Sequence, residues 1–232
     1  MKNSKEYSDK LGRFLGGMKK KSKVPDLPEF NDPLETLIYG IICECMTEAN
    51  AARVFKRIRS HFVDFNDLRV SRTEEILDVM DTVSPQAQQA AEMITRVLNE
   101  VYEKYDRMSL DVLKEGGKRQ GRKELEDLQG ISRFAVDYCF LIALGGHSIP
   151  LKESMTRLLL EEELIHPDSS EDEIHGFLER QINATDGWMF YNFLCGHCEE
   201  VSVSAANPSA DGSTARRKTS KKKASGKRTS KK

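Results

Sequence analysis

The sequence predicts an all-α fold. Apolar residues recur at three- and four-residue spacing in one segment after another, no strand-like alternation is sustained, and there is no internal repeat. Between two basic ends lie about 177 residues (24–200), enough for one or two compact domains with a real core.

Taken in order, Pro33 followed by Leu34, Leu37, Ile38, Ile41 and Ile42 has the spacing of a buried helix face, with Asp32 placed to cap it ahead of a first-turn proline. A second helix is predicted from Glu48 to Phe62, a short one from Thr73 to Met80, and another on Ala91, Ile94, Leu98 and Val101. In residues 122–144, Leu125 and Leu128 end one short helix and Gly130 opens a tight turn. Ala135, Val136, Cys139, Phe140 and Ala143 then begin another.

Charge divides the chain of 232 residues, whose formal net charge is only -1, into three parts. Residues 1–23 carry a net +6, residues 24–200 a net -16, and residues 201–232 ten basic side chains against one acidic. The tail has no large apolar residue after Val203, so burial cannot offset its ordering entropy and it is expected to be disordered. Its clusters Arg216-Arg217-Lys218, Lys221-Lys222-Lys223 and Lys227-Arg228 suit a polyanion, with a solubilising tail as the plainer alternative. Lys19-Lys20-Lys21-Ser22-Lys23 reads as a smaller version of the same arm. The longest apolar stretch falls well short of the ~20 residues a membrane span needs, and the N-terminus lacks an apolar signal core. Five cysteines, an odd number, fit reduced thiols better than a disulfide framework. The expectation is a soluble intracellular protein, cytoplasmic (nucleoid-associated) or nuclear, a monomer with no membrane partner.

Residues 125–136 have the layout of a helix-hairpin-helix, in which backbone amides at the start of the second helix point at a phosphate oxygen. Gln129, Gly130, Ile131, Ser132 and Arg133 would form that grip, which holds the backbone and reads no bases. Just upstream, KEGGKRQGRK (114–123) holds a net +4 inside the acidic body, adding Lys118, Arg119, Arg122 and Lys123 as candidate phosphate contacts. An ordinary αα-turn beside a solvated basic loop is the competing reading.

From about Pro33 to Cys198 the chain resembles the endonuclease III-like branch of the helix-hairpin-helix DNA glycosylases. The resemblance rests on Leu128-Gln129-Gly130-Ile131-Ser132-Arg133-Phe134-Ala135 at the hairpin, on DPLETLIYGIICECMTEANAARVF near the N-terminus, and on IALGGHSIPLKESMTRL (142–158). It implies two helical lobes with a groove between them, one built from the middle of the chain and the other from both terminal segments, and double-stranded DNA as partner. In such enzymes a carboxylate helps expel a flipped-out base, and bifunctional members add a lysine amine that forms a Schiff base.

The chemistry carries over poorly. The lysine position is Phe134, and an aromatic ring forms no Schiff base, which argues against the usual lyase mechanism. The aspartate position is Lys152, whose charge has the wrong sign to stabilise a cationic sugar. Two rescues exist: Glu153 in the role of the carboxylate, or Lys152 as a relocated nucleophile with Glu153 as its acid/base partner. The alternative is a pair of solvated charges at a helix N-terminus. The family's base-replacing glutamine falls on Cys45, with Glu44 beside it, and the hairpin's second glycine is Ser132, strained if its φ must be positive.

The resemblance also implies a four-cysteine iron-sulfur loop after the last helix, but beyond Cys198 there is no cysteine, so no such cluster is expected. CGHC (195–198) with Cys43 and Cys45 is a weak zinc pattern, and no metal or other cofactor is expected. His147, His166 and His175 read as surface or capping residues, and the runs Glu161–Glu163 and Glu171–Glu173 as solvated helix faces. Three functions remain: a DNA-binding member of the glycosylase lineage with altered or lost catalysis, a monofunctional glycosylase using Glu153 or Lys152, and a non-enzymatic helical interaction module.

Overall fold

A computed structural model describes residues 4–21, 25–82 and 84–206, and every regular element among them is helical. The first helix, α1 (Ser4–Lys21), corrects the expectation of a basic N-terminal arm over 1–23. Leu11 and Met18, seven residues apart on one face, are fully buried. Two of the lysines are spent on the acidic body, Lys10 on Glu163 (3.1 Å) and Lys19 on Asp186 (2.7 Å). Ser8 also donates to Gln181 at 2.5 Å. The amphipathic period outweighs the basic composition.

α2 (Pro33–Cys45) starts where the sequence places it. The Asp32 carboxylate accepts from the Leu34 amide at 2.7 Å, and Pro33 occupies the first turn. Asp32 also accepts from the Leu110 amide at 3.0 Å and from the Ser109 hydroxyl, so the cap doubles as a tether to a distant loop. Pro33 to Cys43 are all buried, which leaves the helix no wet face.

Around α2 stand α3 (Glu48–His61), capped by Thr47; α4 (Phe65–Val70), capped by Asp64; α5 (Thr73–Met80); and α6 (Pro85–Tyr105), capped by Ser84. α3 packs on α2 and α5, and α6 receives α2, α4 and α5. The short α7 (Val112–Glu115) and α8 (Lys118–Glu126) lead into the turn and α9 (Arg133–Ile142), which is buried from Phe134 to Leu141. α9 lies antiparallel along α2: the Cys139 thiol donates to the Pro33 carbonyl at one end, and Ser132 meets Glu44 at the other. Their approach needs Gly40, where a Cβ would stand 3.3 Å from the Tyr138 ring.

The second lobe comprises α10 (Glu153–Glu161), α11 (Glu171–Gln181), a 3-10 turn at Ala184–Asp186 and α12 (Gly187–Ala206), with α1 against α11. A cluster of rings joins the lobes: Tyr138 and Phe134 on α9 pack against Tyr191 on α12, which stacks on Trp188. Glu48 at the head of α3 receives the hydroxyls of Tyr138 (3.3 Å) and Tyr191 (3.1 Å). The last helix continues to Ala206, past the 201 boundary read from composition; the basic run 207–232, expected to be disordered, lies outside the described residues. No described helix is long and apolar enough to cross a membrane.

Asp32→Ala should remove the cap and the tether together and cost about 2–3 kcal/mol in urea unfolding. Asp32→Asn, which keeps an acceptor, should lose less than half of that; equal losses would show that the side-chain oxygen contributes nothing.

Candidate functional site

The turn at 127–132 is a hairpin between α8 and α9. Gly130 has φ +73, which a side chain would strain, and a Cβ there would run into the Arg96 side chain from α6. Ser132 does not need glycine: its φ is -79, and its hydroxyl oxygen accepts from the Ala135 amide at 3.1 Å as the cap of α9. The strain expected at that position is therefore absent. Gln129 and Gly130 are exposed, Ile131 is half-buried against the core, and the amides of Gly130, Ile131, Ser132 and Arg133 have no acceptor among the described residues. Open amides at a helix start, with the Arg96 guanidinium beside them, form a small positive surface. Arg96 was invisible to sequence reading because only the fold brings residue 96 to residue 130.

The candidate basic residues divide in two. Arg122 is directed inward, bonding Glu126 (2.8 Å), Asp137 (3.0 Å) and Ser148 (3.3 Å), with its guanidinium over the Phe140 ring. Its charge is taken up by the protein's own carboxylates, with the side chain 24% exposed. Arg133 is committed to Asp172 and reaches toward Asp137, and Lys118 donates to the Gly145 carbonyl. Arg119 and Lys123 are exposed, with no carboxylate partner among the described residues.

At the expected chemical centre, Phe134 is 3% exposed and packed between Tyr138 and Tyr191. Lys152, the residue before α10, donates to the Met46 carbonyl at 3.0 Å and holds its ammonium 5.6 Å above the Phe134 ring. Glu153 is not its partner: the carboxylate is 91% exposed and pairs with Arg157 one turn on. The pair does stand at a helix start, as expected from sequence. Glu44, at the end of α2, lines the same cleft as Lys152, Cys45, Cys195 and Cys198 and feels the Lys152 charge. Burial raises the Glu44 carboxyl above its ordinary range, while the Ser132 hydroxyl, donating at 2.5 Å, and the Lys152 charge hold it back. Burial likewise pushes the Cys45 thiol up to about 11, so at neutral pH it is protonated and a poor nucleophile. None of the five cysteines is in a disulfide, and no group of three His, Cys, Asp or Glu among the described residues is placed to hold a metal ion.

Behind the hairpin lies a buried polar cluster. Asp137 is fully buried, accepting from Ser148 (2.5 Å) and Arg122, with His175 Nδ1 3.3 Å from its second oxygen. His175 is itself 2% exposed, which corrects its reading as a surface or capping residue. Burial pushes the Asp137 carboxyl up to about 6 from 3.8, against the pull of Ser148, Arg122 and Arg133. Burial, then the charges of Arg133 and Arg122, pushes His175 down to about 4 from 6.5, so the ring is neutral at pH 7.

No protein-family model matches the sequence, and no curated protein matches it. Solved structures are similar to it. An endonuclease III–DNA covalent intermediate is 18% identical, with 81% of this chain and 84% of that chain covered, at a TM-score of 0.64. The Clostridium acetobutylicum 8-oxoguanine glycosylase/lyase in complex with double-stranded DNA is 14% identical over 87% and 71% of the two chains, at 0.62. The H. pylori 3-methyladenine DNA glycosylase bound to ethenoadenine is 12% identical over 84% and 97%, at 0.58.

The buried pair makes opposite contributions to stability. Asp137 binds its proton more tightly in the folded state, so its contribution is full below about pH 4 and lost as pH rises through about 6. His175 does the reverse: its contribution is full above about 6.5 and lost as pH falls through about 4. In the intact protein the two nearly cancel. His175→Gln should expose the Asp137 part, losing up to about 3 kcal/mol relative to the parent between pH 4 and 6 in urea melts. Asp137→Asn should tilt the curve the other way, and offsets independent of pH in both variants would refute the coupling.

Proposed function

We propose that this chain, which has the helix-hairpin-helix glycosylase fold, binds the backbone of double-stranded DNA through the Gly130 turn and no longer excises bases. One observation carries the reading: the turn keeps a set of open amides beside Arg96, while the centre next to it has lost its reactive groups. A buried ring fills the lysine position, the Lys152 amine is bonded to a carbonyl, and Glu153 points into solvent. Phosphate binding needs only the first of these features, whereas base expulsion needs a carboxylate beside the sugar. The similar solved structures support DNA as the ligand, since those of endonuclease III and the 8-oxoguanine enzyme are DNA complexes. An intracellular compartment that holds DNA follows from this reading, with Arg119, Lys123 and the basic tail adding attraction independent of sequence.

A second reading has one observation in its favour. Lys152 and the partly buried Glu44 share a cleft, and a carboxylate that can activate water is the minimum equipment of a monofunctional glycosylase, with the Lys152 charge beside it tuning that carboxylate.

A duplex containing an abasic-site analogue should bind the protein at low salt and release as salt rises. Gln129→Glu, which sets an anion beside the open amides, should weaken binding tenfold or more. Gly130→Ala should do the same and also lower stability by about 1–2 kcal/mol. Removal of 207–232 should reduce the salt slope and leave binding in place; loss of all duplex binding in that truncated chain would sink the reading in favour of a protein-interaction module. Base release from any member of a panel of damaged duplexes, abolished by Lys152→Ala or Glu44→Gln, would establish the second reading instead.

A further inference from the structure

The acidic body holds a third group of cations, on α3. That helix carries Arg53, Lys56, Arg57, Arg59 and His61 against Glu48 alone, and Glu48 faces the Tyr138 and Tyr191 hydroxyls. Arg59 belongs to the other side, paired with Glu35. Arg53, Lys56 and Arg57 stand at i, i+3 and i+4, so they share one face. With Ser60, His61 and Val79 they line an open depression, and no carboxylate is among its lining residues.

These side chains are exposed and only partly engaged. Arg53 bonds the neutral Asn50 amide, Lys56 has no carboxylate partner among the described residues, and Arg57 alone is paired, with Asp81 at 2.9 Å. Two exposed charges near each other without counterions repel, and side chains this long pay entropy to be held together. A polyanion relieves the repulsion.

A series of clefts that share lining residues lies between the depression and the hairpin, with Glu44, Glu153, Glu171 and Asp81 among their linings. A cleft holding Ser132, Arg133 and Glu44 meets, through Glu44, the cleft holding Cys45, Met46 and Lys152. That one meets, through Cys45 and Met46, a third cleft lined by Arg53 and Arg57 together with Asp81, Thr82 and Ser84.

We propose that Arg53, Lys56 and Arg57 form a second phosphate clamp on the same duplex that the Gly130 turn holds, gripping backbone on the far side of the line of clefts. The inference rests on the DNA-binding reading and deepens it by naming where the second grip lies. One clamp fixes a point on the duplex; two fix its direction across the protein.

The test uses the full-length protein, a duplex with an abasic-site analogue, equilibrium binding across a salt series and hydroxyl-radical footprinting. Arg53→Gln/Lys56→Gln should lower the magnitude of the log K against log salt slope by about 2, one unit for each lost phosphate contact. It should weaken binding at least tenfold at low salt for every duplex sequence and shorten the footprint at one end. The unfolding midpoint should stay unchanged, since both side chains are exposed. If the double variant keeps the parental slope and footprint while Gln129→Glu loses affinity, the second clamp is overturned and the hairpin reading stands. If the parent binds no duplex, both fall together.

Discussion

The structure depends on two helices that have no side facing water. α2 and α9 are buried on every face, lie antiparallel, and come together at Gly40, where an added Cβ would press on the Tyr138 ring at 3.3 Å. Burying a helix completely is stable only when its neighbours supply apolar surface all round, so the other helices of that lobe are arranged to cover this pair. The antiparallel arrangement brings the end of α2 to the start of α9, which is why Glu44 meets the hairpin at Ser132. The position of the candidate site thus follows from a packing requirement in the core.

Much of the fold was legible because it is written at short range. Asp32 before Pro33, the spacing of Leu34 to Ile42, and the segment Thr73–Met80 each specify an element from neighbouring residues, and each is found in place. The features that sequence reading missed all depend on distant partners. Basic composition hid the apolar face of α1, whose Leu11 and Met18 are two residues in a segment rich in lysine. His175 looked like a surface residue since the groups that enclose it come from positions 122, 133 and 137. Arg122 looked like a free cation for the same reason: Asp137 lies across the hairpin on α9, and Ser148 and Glu179 lie further still along the chain.

The site itself was half legible. Gly130 does have the positive φ that its place in the turn demands, and Lys152 does stand at the start of a helix. Glu153 was the natural carboxylate to pair with Lys152 on adjacency, but successive side chains on a helix point about 100° apart. Glu44, more than a hundred positions away, is the one that shares the cleft. The acidic net charge of the body conceals a local order as well, with carboxylates taken up in caps and buried clusters and several cations left outward.

The ammonium of Lys152 above the ring of Phe134 links these two side chains, eighteen positions apart, to each other. A second amine at 134 would meet the first at roughly the same separation, a repulsion of about 3 kcal/mol at an effective dielectric constant near 20. The two positions are therefore coupled: a cation at 134 is penalised for as long as Lys152 keeps its place above that site. An apolar ring at 134 is favoured by the same amine that reaches across to the Met46 carbonyl, so one contact both fills the space and keeps its character.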